Sequence, residues 1–169
     1  MQYRYLHIEL HAPGRHLIPN LFLATFVERL VAIECKHGLC GKEGRPISPY
    51  VSESSKFKVG DKIVVLLKRF GMSGKRPFKI NTHIELHARH HLPFCSTSGD
   101  DLEVVMARLD AVVCHVGSID RGHYFTLVRN SLNNRWFLYD DDAIFEITEA
   151  FALSFHMEPY MLIYTREKP

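Results

Sequence analysis

Five segments near the C-terminal end leave this chain little choice but to build a sheet. RLDAVVCHVG (108–117), HYFTLVRN (123–130), RWFLYDD (135–141), AIFEIT (143–148) and YMLIYTR (160–166) alternate apolar and polar residues or are rich in β-branched and aromatic ones. A period of two puts alternate side chains on opposite faces of a strand, which suits a sheet with one face on a core. One short helix is expected over EAFALSF (149–155). No internal repeat is visible. The expected class is α+β, a mostly antiparallel sheet with few helices packed against it.

The first 59 residues are patterned less clearly. YRYLHIEL (3–10) alternates and reads as a strand, which APGR (12–15) ends. Asn20 is placed to cap a helix over LFLATFVERLVAIE (21–34), whose Leu23, Phe26, Val27, Leu30 and Val31 recur at three–four spacing and read as core packing. GKEGRPISPYVSESSKFKV (41–59) is rich in Gly, Pro and Ser and is expected to be a loop. GDKIVVLLKRF (60–70) reads as a buried strand, GMSGKR (71–76) as a turn, and PFKINTHIEL (77–86) as a strand pairing back.

Composition excludes several classes. The chain of 169 residues can form one domain with a real core. A net charge of +2 provides no electrostatic footprint for nucleic acid. No apolar run approaches the roughly 18 residues of a membrane helix. The opening MQYRYLHIELHAPGR lacks an apolar h-region, so no signal peptide is expected. Cys35, Cys40, Cys95 and Cys114 are irregularly spaced and read as reduced thiols of the cytoplasm or nucleus. Several of the 11 histidines fall in THIELHARHH (82–91). A metal site and a polar strand both fit that spacing. The segment has no clear helical stripe, and no metal or other cofactor is expected.

Chemistry concentrates in GSIDRGHYFTLVRNSLNNRWFLYDDD (117–142). His123 stands at the mouth of a strand, behind Gly122. A hairpin closing near residues 131–132 places Asp140 across from it, on the same face. A register change of one residue would present Asp141 instead. A carboxylate beside an imidazole can hold Nδ1–H and leave Nε2 to take a proton from a nucleophile. His123 is therefore a candidate general base and Asp140 its orienter, although such a pair also occurs as a plain surface contact.

Leu67-Lys68-Arg69-Phe70, His115-Val116-Gly117, Gly122-His123-Tyr124, Trp136, Tyr139-Asp140-Asp141, and Pro159-Tyr160-Met161-Leu162-Ile163-Tyr164-Thr165-Arg166 follow one another along the chain. This order of motifs resembles the ubiquitin-specific proteases. The likeness is good over about residues 60–166 and loose over 1–59. It implies a single partial catalytic domain of papain-like fold, with a finger and helix region at 1–59 and the palm at 60–169. It implies that His123 and Asp140 are catalytic and that Gly122 and Tyr124 meet substrate, with Gly122 leaving room for ubiquitin's Gly-Gly end. Lys68, Arg69, Phe70 and His115 are expected to be structural. Ubiquitin or ubiquitinated proteins are the implied partners.

The family's cysteine box, of the type Gly-(Leu/Asn)-x-x-Asn-x-Cys, has no counterpart here. Cys114 reads as an inert core thiol, and neither Cys40 nor Cys95 opens a helix. Cys35 and Cys40 fall where the family often carries half a zinc ribbon, but at C-x4-C spacing; two ligands cannot close such a site, though His37 could add a third, and the pair reads as a remnant or as half a site completed elsewhere. The expected function is thus a thiol-dependent deubiquitinase domain whose nucleophile a second chain or a further segment supplies. The alternative is a catalytically inactive ubiquitin-binding or scaffolding module.

Overall fold

A computed structural model describes residues 5–10, 15–17, 29–33, 47–52, 62–95 and 102–167. The strands are β1 (Tyr5–Glu9), β2 (Arg15–Leu17), β3 (Arg29–Ile33), β4 (Ile47–Ser52), β5 (Lys62–Lys68), β6 (Phe70–Ser73), β7 (Arg76–Lys79), β8 (His83–Glu85), β9 (Arg89–Cys95), β10 (Leu102–Gly117), β11 (Gly122–Arg129), β12 (Trp136–Asp140), β13 (Ala143–Ile147) and β14 (Pro159–Arg166). A helical turn, α1, covers Glu149–Ala152. Among the described residues no helix is long and apolar enough to cross a membrane.

The main sheet has eight strands in the order β1-β5-β14-β10-β11-β12-β13, and β9 pairs with the first half of β10. Every pairing in it is antiparallel except that of β1 with β5. Alternation explains the core. Val65, Leu67, Leu92, Leu109, Val112, Leu127, Leu162 and Tyr164 are all fully buried. Each such leucine contributes about 1.5–3 kcal/mol through its burial. Trp136 closes the far end of the cluster beneath Ala152 of α1, and its indole N–H donates to Glu149 at 3.4 Å.

Three expectations are corrected. Residues 29–33 of the expected helix form β3, paired antiparallel with β4, and the remainder of that helix lies outside the described residues. Val31 and Ile33 are β-branched and favour a strand once a partner is in reach. That partner is Ile47–Ser52, which was expected to be loop; its Ile47, Tyr50 and Val51 are strand formers. The register slips between Val31 and Ile33, so Pro49 sits beside an irregularity, where proline is tolerated in a strand. Residues 77–86 are two strands instead of one: β7 pairs back on β6, while β8 pairs in parallel with β2. Cys35 and Cys40 lie outside the described residues.

Residues 80–82 separate β7 from β8, and the carbonyls of Ile80 and Thr82 are used by Arg69. This fully buried guanidinium donates to the carbonyls of Ile80 at 3.0 Å, Thr82 at 2.8 Å and His156 at 3.4 Å. Its Nε donates to the carbonyl of Pro159. Burial pulls its pKa down to about 10, with the charge of Glu158 opposing that shift, so the group is still a cation at neutral pH. Asp110 anchors the middle of the sheet. It occupies a bulge between Leu109 and Ala111, where it accepts from Arg129, Thr165 and, at 3.4 Å, Arg108.

Candidate active site

The β11–β12 register pairs Thr126 with Tyr139, Leu127 with Leu138, Val128 with Phe137 and Arg129 with Trp136. Its midpoint lies between residues 132 and 133, one residue later than expected. The turn is set by Asn130, whose side chain accepts from Leu132 N–H at 2.9 Å, and by Asn134 at φ 59°. Continued to its end, this register puts Phe125 opposite Asp140. His123 and Asp140 are therefore diagonal neighbours on one face, not directly opposed residues. Diagonal partners are still within reach of an imidazole and a carboxylate, and the two groups are hydrogen-bonded.

The ring orientation also differs from expectation. Nε2 of His123, not Nδ1, faces the Asp140 carboxylate. The logic is preserved with the nitrogens exchanged: the carboxylate fixes the proton on Nε2, and Nδ1 becomes the basic nitrogen. Both side chains are a little under half exposed. The hydrogen bond to Asp140 is the largest cause of a raised His123 pKa, the charges of Asp140 and Asp141 add to it, and desolvation opposes them. Pairing with His123 protonated stabilises the folded chain fully below the ordinary histidine value of 6.5, and this contribution is lost as pH rises through the elevated pKa. Asp140→Asn should therefore move the His123 titration downward, as followed by the imidazole NMR resonances. An unchanged midpoint would mean that Asp140 does not hold the ring.

Asp141 lies in the β12–β13 turn at φ 50°. His123, Asp140 and Asp141 each offer one ligand atom, all within 4.8 Å of one another. Exposed carboxylates commonly gather without an ion, and the effect visible here is electrostatic: Asp141 adds to the upward shift of His123. Three of the four histidines of residues 82–91 make other contacts. His83 stacks on His156 at 4.3 Å, His87 meets His90 edge-on at 5.0 Å, and His87 Nε2 lies 3.0 Å from Glu85. Burial drops His90 to about 4, so it is neutral at physiological pH.

Gly122 has a structural reason that the sequence did not disclose. A Cβ there would overlap the His115 ring at Nε2 and meet the Val116 carbonyl oxygen at 2.7 Å. His115 is buried beneath it, with its ring 4.5 Å from Tyr124 and 5.8 Å from Phe70. Burial, with Lys79 nearby, keeps His115 below the ordinary histidine range. Tyr124 is half exposed and also meets Tyr160 at 5.9 Å. Successive residues of a strand face opposite ways, so Tyr124 and His123 stand on the two sides of the same strand end. Cys114 is fully buried, and desolvation pushes its thiol up to about 12, which leaves it without a usable thiolate. Lys79, which the sequence reading passed over, bonds the chain just before this hairpin loop. Only its place at the end of a strand could have drawn notice.

An imidazole with one nitrogen held by a carboxylate is an arrangement that can serve in acid–base chemistry. Comparison with known proteins identifies the family. The family model for ubiquitin carboxyl-terminal hydrolases matches residues 5–164. The chain belongs to that family. It is 31% identical over 107 residues to "Probable ubiquitin carboxyl-terminal hydrolase 8" of Schizosaccharomyces pombe, covering 63% of this chain and 22% of the relative. Its fold matches a chain of the SAGA DUB module Ubp8/Sgf11/Sus1/Sgf73 bound to monoubiquitin, with a TM-score of 0.67 and 20% identity, over 96% of this chain and 35% of that one. The same module bound to ubiquitin aldehyde matches with a TM-score of 0.68 and 18% identity, over 96% and 36%. The chain thus spans about a fifth of the curated relative and about a third of the solved chains.

Proposed function

We propose that this chain is a single partial catalytic domain carrying the acid–base half of a thiol-dependent deubiquitinase. The observation that carries the reading is the His123–Asp140 pair, held diagonally across β11 and β12 with one imidazole nitrogen committed to the carboxylate. In the reaction, a thiolate attacks the carbonyl carbon of ubiquitin's C-terminal glycine. His123, protonated by that thiol, then gives its proton to the leaving amine as the C–N bond breaks. Water, deprotonated by His123, next cleaves the thioester and releases ubiquitin. Asp140 keeps the ring in one tautomer throughout. By the family resemblance, Gly122 meets the incoming Gly-Gly end through its backbone beside His123, and Tyr124 is assigned a substrate contact from the other side of the strand end. Ubiquitin or a ubiquitinated protein is the partner, and a cytoplasmic or nuclear setting, where thiols stay reduced, fits the chemistry.

The nucleophile comes from a cysteine-box segment outside residues 1–169. The burial and raised pKa of Cys114 support this. The test uses ubiquitin ending in a thiol-trapping electrophile, offered to this chain alone and to the chain joined to a cysteine-box segment. An adduct is expected only with the joined form, and it should be lost in His123→Ala. An adduct with the chain alone, removed by one Cys→Ala substitution, would mean that the nucleophile is internal. Retention of ubiquitin with no adduct in either form would favour a non-catalytic ubiquitin-binding module.

A further inference from the structure

We infer that Lys79 is a positioning residue for His123, acting through the overhanging end of β10. The inference rests on the reading of His123 as the general base. It begins with a mismatch in strand length. β14 starts at Pro159, which pairs with Cys114. β10 continues to Gly117, so its last three residues project beyond β14.

Backbone directions in that overhang are fixed by one bond. His115 N–H donates to the Glu158 carbonyl at 2.8 Å, toward the β14 side. In a strand, the N–H and C=O of one residue point to the same edge, and neighbours alternate. The carbonyls of His115 and Gly117 therefore point to the β14 side, past the end of that strand. Val116 points the other way, to β11, where its register partner is His123. The backbone of His123 is thus held by an overhang whose outer edge has two carbonyls and no strand to receive them.

Lys79 receives them. Its Nζ donates to the His115 carbonyl at 2.8 Å and the Gly117 carbonyl at 3.1 Å. The base of this strut is rigid. Lys79 is the last residue of β7, and the next residue, Ile80, exchanges hydrogen bonds with buried Arg69, 2.6 Å from its N–H to the Arg69 carbonyl and 3.0 Å from the guanidinium to its own carbonyl. The ammonium makes no ion pair within 4 Å among the described residues; Glu158 attracts it and Arg69 repels it from farther off. Gly117, at φ 98°, has no room for a side chain either, since a Cβ would meet the Arg121 carbonyl at 2.5 Å. The loop from Ser118 to Arg121 is closed by the Ser118 N–H bond to the Arg121 carbonyl at 2.8 Å. The loop is closed on itself, so freedom at the overhang passes to Gly122 and His123 and not into the loop.

The experiment compares Lys79→Met and Lys79→Arg with the unaltered chain by NMR. Two things are read: the midpoint of the His123 titration, and hydrogen exchange at the His123 amide. Lys79→Met should bring the His123 midpoint down toward that of Asp140→Asn and speed exchange at His123 at least tenfold. Lys79→Arg, which can still donate to both carbonyls, should restore most of each. A Lys79→Met chain that is merely less stable, with the His123 midpoint unchanged, overturns the inference. If Lys79→Met does not fold, the unaltered chain decides: a Lys79 ammonium resonance protected from water exchange and coupled to the His115 and Gly117 carbonyls supports the strut, and a freely exchanging one refutes it. None of these readouts needs turnover. Loss of the His123 signature in a chain whose joined form never cleaves ubiquitin would sink the deubiquitinase reading and leave the strut standing.

Discussion

His123→Ala should reduce ubiquitin release by the joined enzyme about a thousandfold or more in kcat/KM, with little change in the unfolding midpoint above the His123 pKa. General acid–base catalysis by a positioned side chain is worth roughly 10²–10⁴, and here one imidazole would serve both half-reactions. The stability side of the expectation follows from exposure. Nearly half of the His123 side chain is open to solvent, and its hydrogen-bond partner is Asp140, itself similarly exposed. No core contact is lost on truncation. The comparison variant is Asp140→Asn, which keeps a hydrogen-bonding group in place but can present the wrong one to Nε2. It should lower turnover less than His123→Ala does and should shift the acidic limb of the pH–rate profile downward, the direction set by the loss of the Asp140 contribution to the His123 pKa. Full turnover in both variants would remove His123 and Asp140 from the mechanism.

Arg69→Met should be the most damaging single change to the fold away from the site, costing about 3–5 kcal/mol, in the range of breaking a buried charged network. The side chain is fully buried and binds the carbonyls of Ile80, Thr82, His156 and Pro159. Methionine fills much of the volume, so the loss is mainly electrostatic: several buried carbonyls would be left without a donor, each at about 1–3 kcal/mol before relaxation. Arg69→Lys should recover only part of this, because an ammonium lacks the planar fork that reaches four acceptors at once. In a domain of this size the Met variant should melt on the order of 10 °C lower. Replacement of exposed Lys75 is the control and should move the midpoint by about 0.5 kcal/mol or less. A stable, cooperatively folding Arg69→Met chain would show that those carbonyls are satisfied some other way.

The C-terminal sheet was legible because its strands alternate and follow one another through short turns, so local pattern and final pairing agree. The same regularity placed His123 and Asp140 on one face, since parity survives an error of two residues in register. What it could not deliver was which nitrogen meets the carboxylate, or that the pair is diagonal, because both depend on where Asn130 and Asn134 turn the chain. Residues 29–33 were misread as helix because a three–four stripe of leucine, phenylalanine and valine also satisfies a strand once β4 lies alongside. Arg69 was expected to be structural on resemblance alone. Its carbonyl partners come from residues up to 90 positions away, and no window of sequence shows that. The clash that makes Gly122 a glycine comes from His115 on the neighbouring strand, so the residue's meaning is tertiary.

The position of β14 has a consequence for how the molecule is made. It is the last of the described strands in sequence yet lies inside the sheet, between β5 and β10. The hairpins from β10 to β13 can form as soon as they leave the ribosome, since their partners are near neighbours. β5 cannot join them. Its only antiparallel partner in this sheet among the described residues, β14, is synthesised about 90 residues later, and until then β5 and β10 each expose an unpaired edge. A nascent chain stopped just before Pro159 is two half-sheets with sticky borders, and such edges invite pairing with other chains. β14, the last described strand, works as the keystone of the sheet, because β5 and β10 are joined only once it is set between them.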